Sequence, residues 1–160
     1  MPAPVTTNTV WSALSGNLFA VLSWVTPQGT ARSAGVVYLV RDGRLLIGTD
    51  AGSWKARYIR ANPNVSLTAT FTRRIPLIPW IRPPDATITF HGKARVIEPV
   101  DVDPVLLREL EKGMAEDSER VANSSMIEVT PEGDFVTYGI GVSLLAMRDP
   151  RKAQGRAPII

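Results

Sequence analysis

The stretch Gly48-Thr49-Asp50-Ala51-Gly52-Ser53-Trp54-Lys55-Ala56-Arg57-Tyr58-Ile59-Arg60-Ala61-Asn62-Pro63-Asn64-Val65 decides how the rest of the chain is read. Ser53 is a strong N-cap residue, Trp54 to Ala61 give two helical turns, and Asn62-Pro63 stops them, because a residue before proline is driven out of the helical region. Leu45 to Thr49 before it reads as a strand. After it, Val65, Leu67, Ala69 and Phe71 alternate with Ser66, Thr68, Thr70 and Thr72, the pattern of a half-buried antiparallel strand. A helix N-terminus presents unpaired N–H groups and positive potential, so Ser53 with Lys55 and Arg57 forms a candidate phosphate cradle. The same residues also suit an ordinary capped surface helix whose cations are solvated, and both readings stand at this point.

Working outward, Asp42-Gly43 between Arg41 and Arg44 is a hairpin signal, because both central residues of a type I′ turn need positive φ. It joins an extended run from Thr30 to Val40 to the strand at Leu45. Another strand, Leu18 to Thr26, closes on Pro27-Gln28-Gly29, and Asn8 to Ser15 carries Val10, Trp11 and Leu14 on one helical face. Downstream, Ala86 to Ile97 alternates with Ile88, Phe90, Gly92, Ala94 and Val96 inward and His91 on the polar face. Asp101 to Ala122 has a helical pattern with Asp101 or Asp103 as N-cap before Pro104. Two last strands, Ser125 to Thr130 and Asp134 to Ile140, are expected to meet at a Pro131-Glu132-Gly133 turn. Six or seven short antiparallel strands with a few short helices predict a mainly β fold, closed or nearly closed into a barrel that removes exposed edges.

At 160 residues, 44% hydrophobic and 21% charged, the chain has the size and balance of one folded domain spanning 1–160. With no cysteine and His91 as its only histidine, it can build no thiolate or histidine-rich metal site, and a hydrolytic triad would rest on one imidazole. No metal is expected. The first residues lack the pattern of a signal peptide and no run approaches the roughly 20 apolar residues of a membrane span, so a cytoplasmic location is expected. The net charge of +3 suits a small anionic ligand better than a nucleic acid track. Part of the excess lies in a basic tail over 148–160.

The segment Gly48 to Ala56, followed by Arg60-Ala61-Asn62-Pro63-Asn64-Val65, resembles the strand, Ser-x-Lys helix and Asn-Pro-x-Val strand of pyridoxamine 5'-phosphate oxidase-like proteins. The likeness runs from about Asn17 to Val96 and is loose in the last third. It implies a split β-barrel, a homodimer, and FMN bound in a cleft between the subunits. By position, Thr49, Ser53 and Lys55 match phosphate-binding residues, while Ser33, Val36, Val37 and Tyr38 match the strand whose backbone runs beside the isoalloxazine ring. In the oxidase proper an arginine stands at the position of Trp54 and another at that of Ser33. Arg57, one helical turn along, is then a candidate substitute, and the pocket should be less cationic. The oxidase's C-terminal substrate motif is reduced to Arg156-Ala157-Pro158, so pyridoxamine phosphate is not the expected substrate. The nearer likeness is to bacterial flavin and deazaflavin oxidoreductases, some of which use the F-420 type coenzyme.

Three further features bear on the site. Arg73 to Pro83 is an apolar, proline-rich insertion, and the flap it makes over 73–85 reads either as a lid carrying Trp80 over the cofactor or as a contact with the partner subunit. His91 reads as a proton donor or as a plain surface histidine. Gly139-Ile140-Gly141 lacks the third glycine of a dinucleotide fingerprint. Two function classes follow: an FMN-dependent oxidoreductase acting on a small molecule, with a deazaflavin as the alternative cofactor, or a non-catalytic flavin or small-ligand binder on the same barrel. No catalytic side chain can be named, since a flavin does its own redox chemistry.

Overall fold

A computed structural model describes residues 5–75, 77–110, 112 and 123–160. Their elements are α1 (Thr7–Ser15), β1 (Phe19–Val25), β2 (Ala31–Arg41), β3 (Arg44–Asp50), α2 (Trp54–Ala61), β4 (Asn64–Phe71), β5 (Ala86–Ile97), α3 (Pro104–Leu110), β6 (Ser124–Tyr138), α4 (Pro150–Ala153) and β7 (Gln154–Pro158). All strand pairings are antiparallel, in the order β3-β2-β1-β4-β5-β6-β7, and a further β3–β6 pairing closes six strands into a barrel. The expected mainly β split barrel is thus present. Asp42 and Gly43 take φ values of 51° and 70°, as the β2–β3 hairpin requires.

The alternation seen in the sequence is what fills the barrel. Leu22, Tyr38, Ile47, Leu67, Ile88, Ile127 and Phe135 are buried in one cluster, with Phe135 meeting the edges of Trp11 and Phe90 at 5.2 and 5.4 Å. Val10 and Leu14 plug α1 into that core. Outside the barrel, α3 packs Leu110 on Leu46 and Met126. Its first turn is capped by Asp103, whose Oδ1 accepts from Val105 N at 2.8 Å. Asp101 lies instead in a preceding 3-10 turn, Pro99–Asp101. The remainder of the expected helix, at 111 and 113–122, lies outside the described residues. No described helix is long and apolar enough to cross a membrane.

One expectation is corrected. Pro131-Glu132-Gly133 does not reverse the chain: β6 runs through it as one strand of 15 residues. The reason is tertiary. β5 pairs with both halves, and the surplus is absorbed as a bulge, since Thr89 faces Val136 while His91 faces Glu132, with Gly133 at φ 78°. The basic tail contains structure for which the sequence reading named no element: α4 delivers β7 to the edge of β6, where Asp134 to Tyr138 pair with Pro158 to Gln154. β3 occupies that same edge over Ser124 to Val129, so the edge of β6 is divided between two strands, which is the split of the barrel.

Candidate functional site

Ser53 caps α2 as expected, with φ −64° and ψ 148°, and its Oγ accepts from Ala56 N at 3.2 Å. Its other neighbour is Thr49, whose Oγ1 lies 2.9 Å away, so the end of β3 and the start of α2 bring two hydroxyls together. The intervening turn is held by Ser53 N donating to the Asp50 carbonyl at 3.0 Å and Gly52 N donating to Asp50 Oδ1 at 3.0 Å. The N–H groups of Trp54 and Lys55, at the first two positions of α2, have no intrahelical acceptor. Across the β3–β6 ladder, Thr49 faces Ser125, a fully buried serine whose Oγ has no hydrogen-bond partner among the described residues. Ser125 adjoins the candidate site, and sequence reading missed it because only the strand register brings it beside Thr49.

Lys55 is half-buried, and no carboxylate pairs with it among the described residues. Trp54, 64% exposed, stacks on Tyr58 at 5.8 Å and carries the Arg57 guanidinium 4.7 Å from its ring centre. Arg57 is thereby held on the same helical face as Trp54. Arg60 is engaged elsewhere: it grips Glu98 at 2.9 and 3.0 Å and reaches the Ala51 carbonyl.

The β2 residues divide between two faces. Val36 and Tyr38 are core residues, and the Tyr38 hydroxyl donates to the Leu14 carbonyl at 2.9 Å. Burial pushes this phenol up to about 12, partly offset by the Asn17 amide. Their side chains face away from any outer ligand, which leaves only their backbone for it. Ser33 and Val37 point outward and exposed, with Gly35 between them under the ring of Phe19. Thr49 stands two residues beyond Ile47, the partner of Tyr38, so it shares their inward face at the end of β3, while Ser33 and Val37 lie on the opposite face of β2. Phe19 is the second residue the sequence did not single out, and only the bareness of Gly35 beside it could have suggested it. Among the described residues no cluster of His, Asp or Glu suits a metal ion.

A six-stranded antiparallel split barrel carrying a short capped helix, with two hydroxyls and a lysine that has no carboxylate partner among the described residues at its start, defines the class of small split-barrel proteins. The chain belongs to the pyridoxamine 5'-phosphate oxidase-like family, whose model matches residues 7–135. That family contains flavin and deazaflavin oxidoreductases as well as non-catalytic binders. Comparison with curated proteins returns no match. Among solved structures the chain is similar to an F420 reductase (21% identity, 78% of this chain and 93% of that one, TM-score 0.59). It is also similar to the FAD binding protein from Mycobacterium smegmatis (16%, 81% and 92%, TM-score 0.54). A third likeness is to the heme storage protein HutZ from Vibrio cholerae (13%, 84% and 96%, TM-score 0.63). At these identities the likenesses establish the fold alone.

Proposed function

We propose that this chain is an FMN-binding oxidoreductase, acting as a homodimer on a small molecule, with the FMN phosphate held by Thr49, Ser53 and Lys55. The observation that carries the reading is the 2.9 Å hydroxyl pair at the start of α2, beside a lysine and a buried Ser125 hydroxyl that have no ionic or hydrogen-bond partner among the described residues. A phosphate dianion offers the acceptors that these donors lack. When bound, the flavin supplies the electron chemistry. The chain's part is to fix the phosphate at one end and to lay the backbone of Val36 to Tyr38, with Ser33 and Val37 outward, along the ring system.

A deazaflavin of the F-420 type is the second reading, favoured by Arg57, an exposed cation set one turn beyond the cap. Its long anionic tail needs several further cations. Arg60 is committed to Glu98, which leaves Lys55 and Arg57 on α2 and supports FMN. Equilibrium titration of both cofactors against the same apo-protein at the same salt tests this. FMN should bind more tightly and, once reduced, should pass electrons to an acceptor. Tighter deazaflavin binding would reverse the choice, and FMN binding without turnover would support a carrier.

A further inference from the structure

Between α1 and the two ends of the flap lies a cleft of about 630 Å³ that shares no residue with the α2 cradle. Such a volume is within the range of small-molecule sites, roughly 300 to 1,000 Å³. Asn8, Thr9 and Ser12 of α1 form its polar wall, Phe71 and Ile140 an apolar one, and Arg73 is the one charged side chain lining it among the described residues. Arg73 donates to the Gly139 carbonyl at 2.6 Å and the Val142 carbonyl at 2.9 Å, and no carboxylate pairs with it among the described residues. Two of its five N–H groups are then used and its charge is not neutralised.

Holding the 139–142 turn does not require a charge. A neutral amide could donate to the same two carbonyls without the desolvation cost that a half-buried, permanently ionised guanidinium carries. We infer that the cleft is a binding site for a small organic carboxylate with an apolar body, its oxygens meeting the remaining Arg73 donors and its body lying on Phe71 and Ile140. The side-chain amide of Asn8 and the hydroxyl of Ser12, which make no hydrogen bond among the described residues, supply further donors on the opposite wall. The carboxylate is required by the sign of the only charge, and the apolar body by the composition of the second wall.

Backbone amide NMR tests this with three probes: benzoate, its neutral isostere benzamide, and inorganic phosphate. Benzoate should shift the amides of Asn8 to Ala13 and Ile140 to Val142, with benzamide and phosphate each at least tenfold weaker. Arg73→Gln should weaken benzoate binding at least tenfold. Ser12→Trp, which fills the cleft from the solvent-exposed side of α1 and leaves the Arg73 bonds in place, should abolish it, and it carries the test if Arg73→Gln loses cooperative unfolding. Equal shifts from benzoate and benzamide, shifts confined to other residues, or benzoate binding unchanged in Ser12→Trp would overturn the assignment.

Discussion

The Tyr38 hydroxyl donates a 2.9 Å hydrogen bond to the Leu14 carbonyl, tying the middle of β2 to the last turn of α1 inside the core. Burial raises this phenol to about 12, so the folded state holds its proton more tightly than the unfolded chain. A raised folded value contributes stability that is complete below about pH 10 and is lost as pH climbs toward 12, about 1.4 kcal/mol per unit and about 3 kcal/mol in all. Denaturant unfolding at pH 8 and pH 11 should therefore show a steep alkaline loss. Tyr38→Phe should be about 1 kcal/mol less stable at pH 8 and show a shallower loss above pH 10.

The cap and the cradle at Ser53 can be separated. Ser53→Ala removes the cap and should cost about 1 kcal/mol, whereas Ser53→Asp keeps a capping oxygen and should retain most of the stability. A carboxylate there would repel a phosphate. Ser53→Asp should thus unfold near the wild-type midpoint yet lose FMN affinity at least as severely as Ser53→Ala.

Lys55→Ala should weaken FMN roughly tenfold or more, the loss of one charge-assisted hydrogen bond at about 1.4 kcal/mol per decade. Unchanged affinity by fluorescence titration would move the phosphate to Arg57.

On the far side of β3, Glu128 bridges Arg95 at 2.8 Å and Arg44 at 3.4 Å. The hydrogen bond from Arg95 holds its carboxyl below the usual value, against its burial and with help from both positive charges. A lowered value contributes stability that is present above about pH 4.3 and is lost as pH falls through the folded value. Thermal unfolding between pH 6 and pH 3 should show that loss in the wild type and less of it in Glu128→Gln.

Light scattering should give about twice the chain mass of 17.4 kDa. The flap leaves Leu77 and Trp80 89% and 79% exposed on a single subunit, a surface that a second copy would cover. If it does so, Trp80→Glu should shift the mass toward one chain, and a wild-type monomer at micromolar concentration would exclude the dimer.

What could be read from the sequence was local. Ser53 as a cap, Asp42-Gly43 as a hairpin and the inward row from Ile88 to Val96 follow from one residue's hydrogen bonding, one turn's φ values and the two-residue period of a strand. The one misreading, and the one strand not foreseen, share a different cause. Pro131-Glu132-Gly133 has turn chemistry, and only the continuous partner strand β5 makes it a bulge. There Gly92 lies so close to β6 that a Cβ would fall almost on the Thr130 carbonyl oxygen. Gln154 to Pro158 contains one apolar residue inside the strand, Ala157, too little for an amphipathic signal, yet its ladder with β6 orders it. The candidate site divides the same way: Thr49, Ser53 and Lys55 fall in one short segment, whereas Ser125 is brought beside Thr49 by a register some 75 residues distant in sequence.

β7 has a consequence for how the molecule avoids polymerising. Without it, the half of β6 from Asp134 to Tyr138 would present open N–H and C=O groups to any extended chain, as β3 covers only the other half. β7 takes that edge and carries its own guards against templating: Arg156 beside Asp134 at 3.6 Å, and Pro158, which has no N–H to offer. Thr7 of α1 closes the end by donating to the Pro158 carbonyl at 2.7 Å. A chain cut after Ala153 would keep the six-stranded barrel and expose a sticky strip along one side, so it should fold and then aggregate, with strand-rich assemblies growing from that strip.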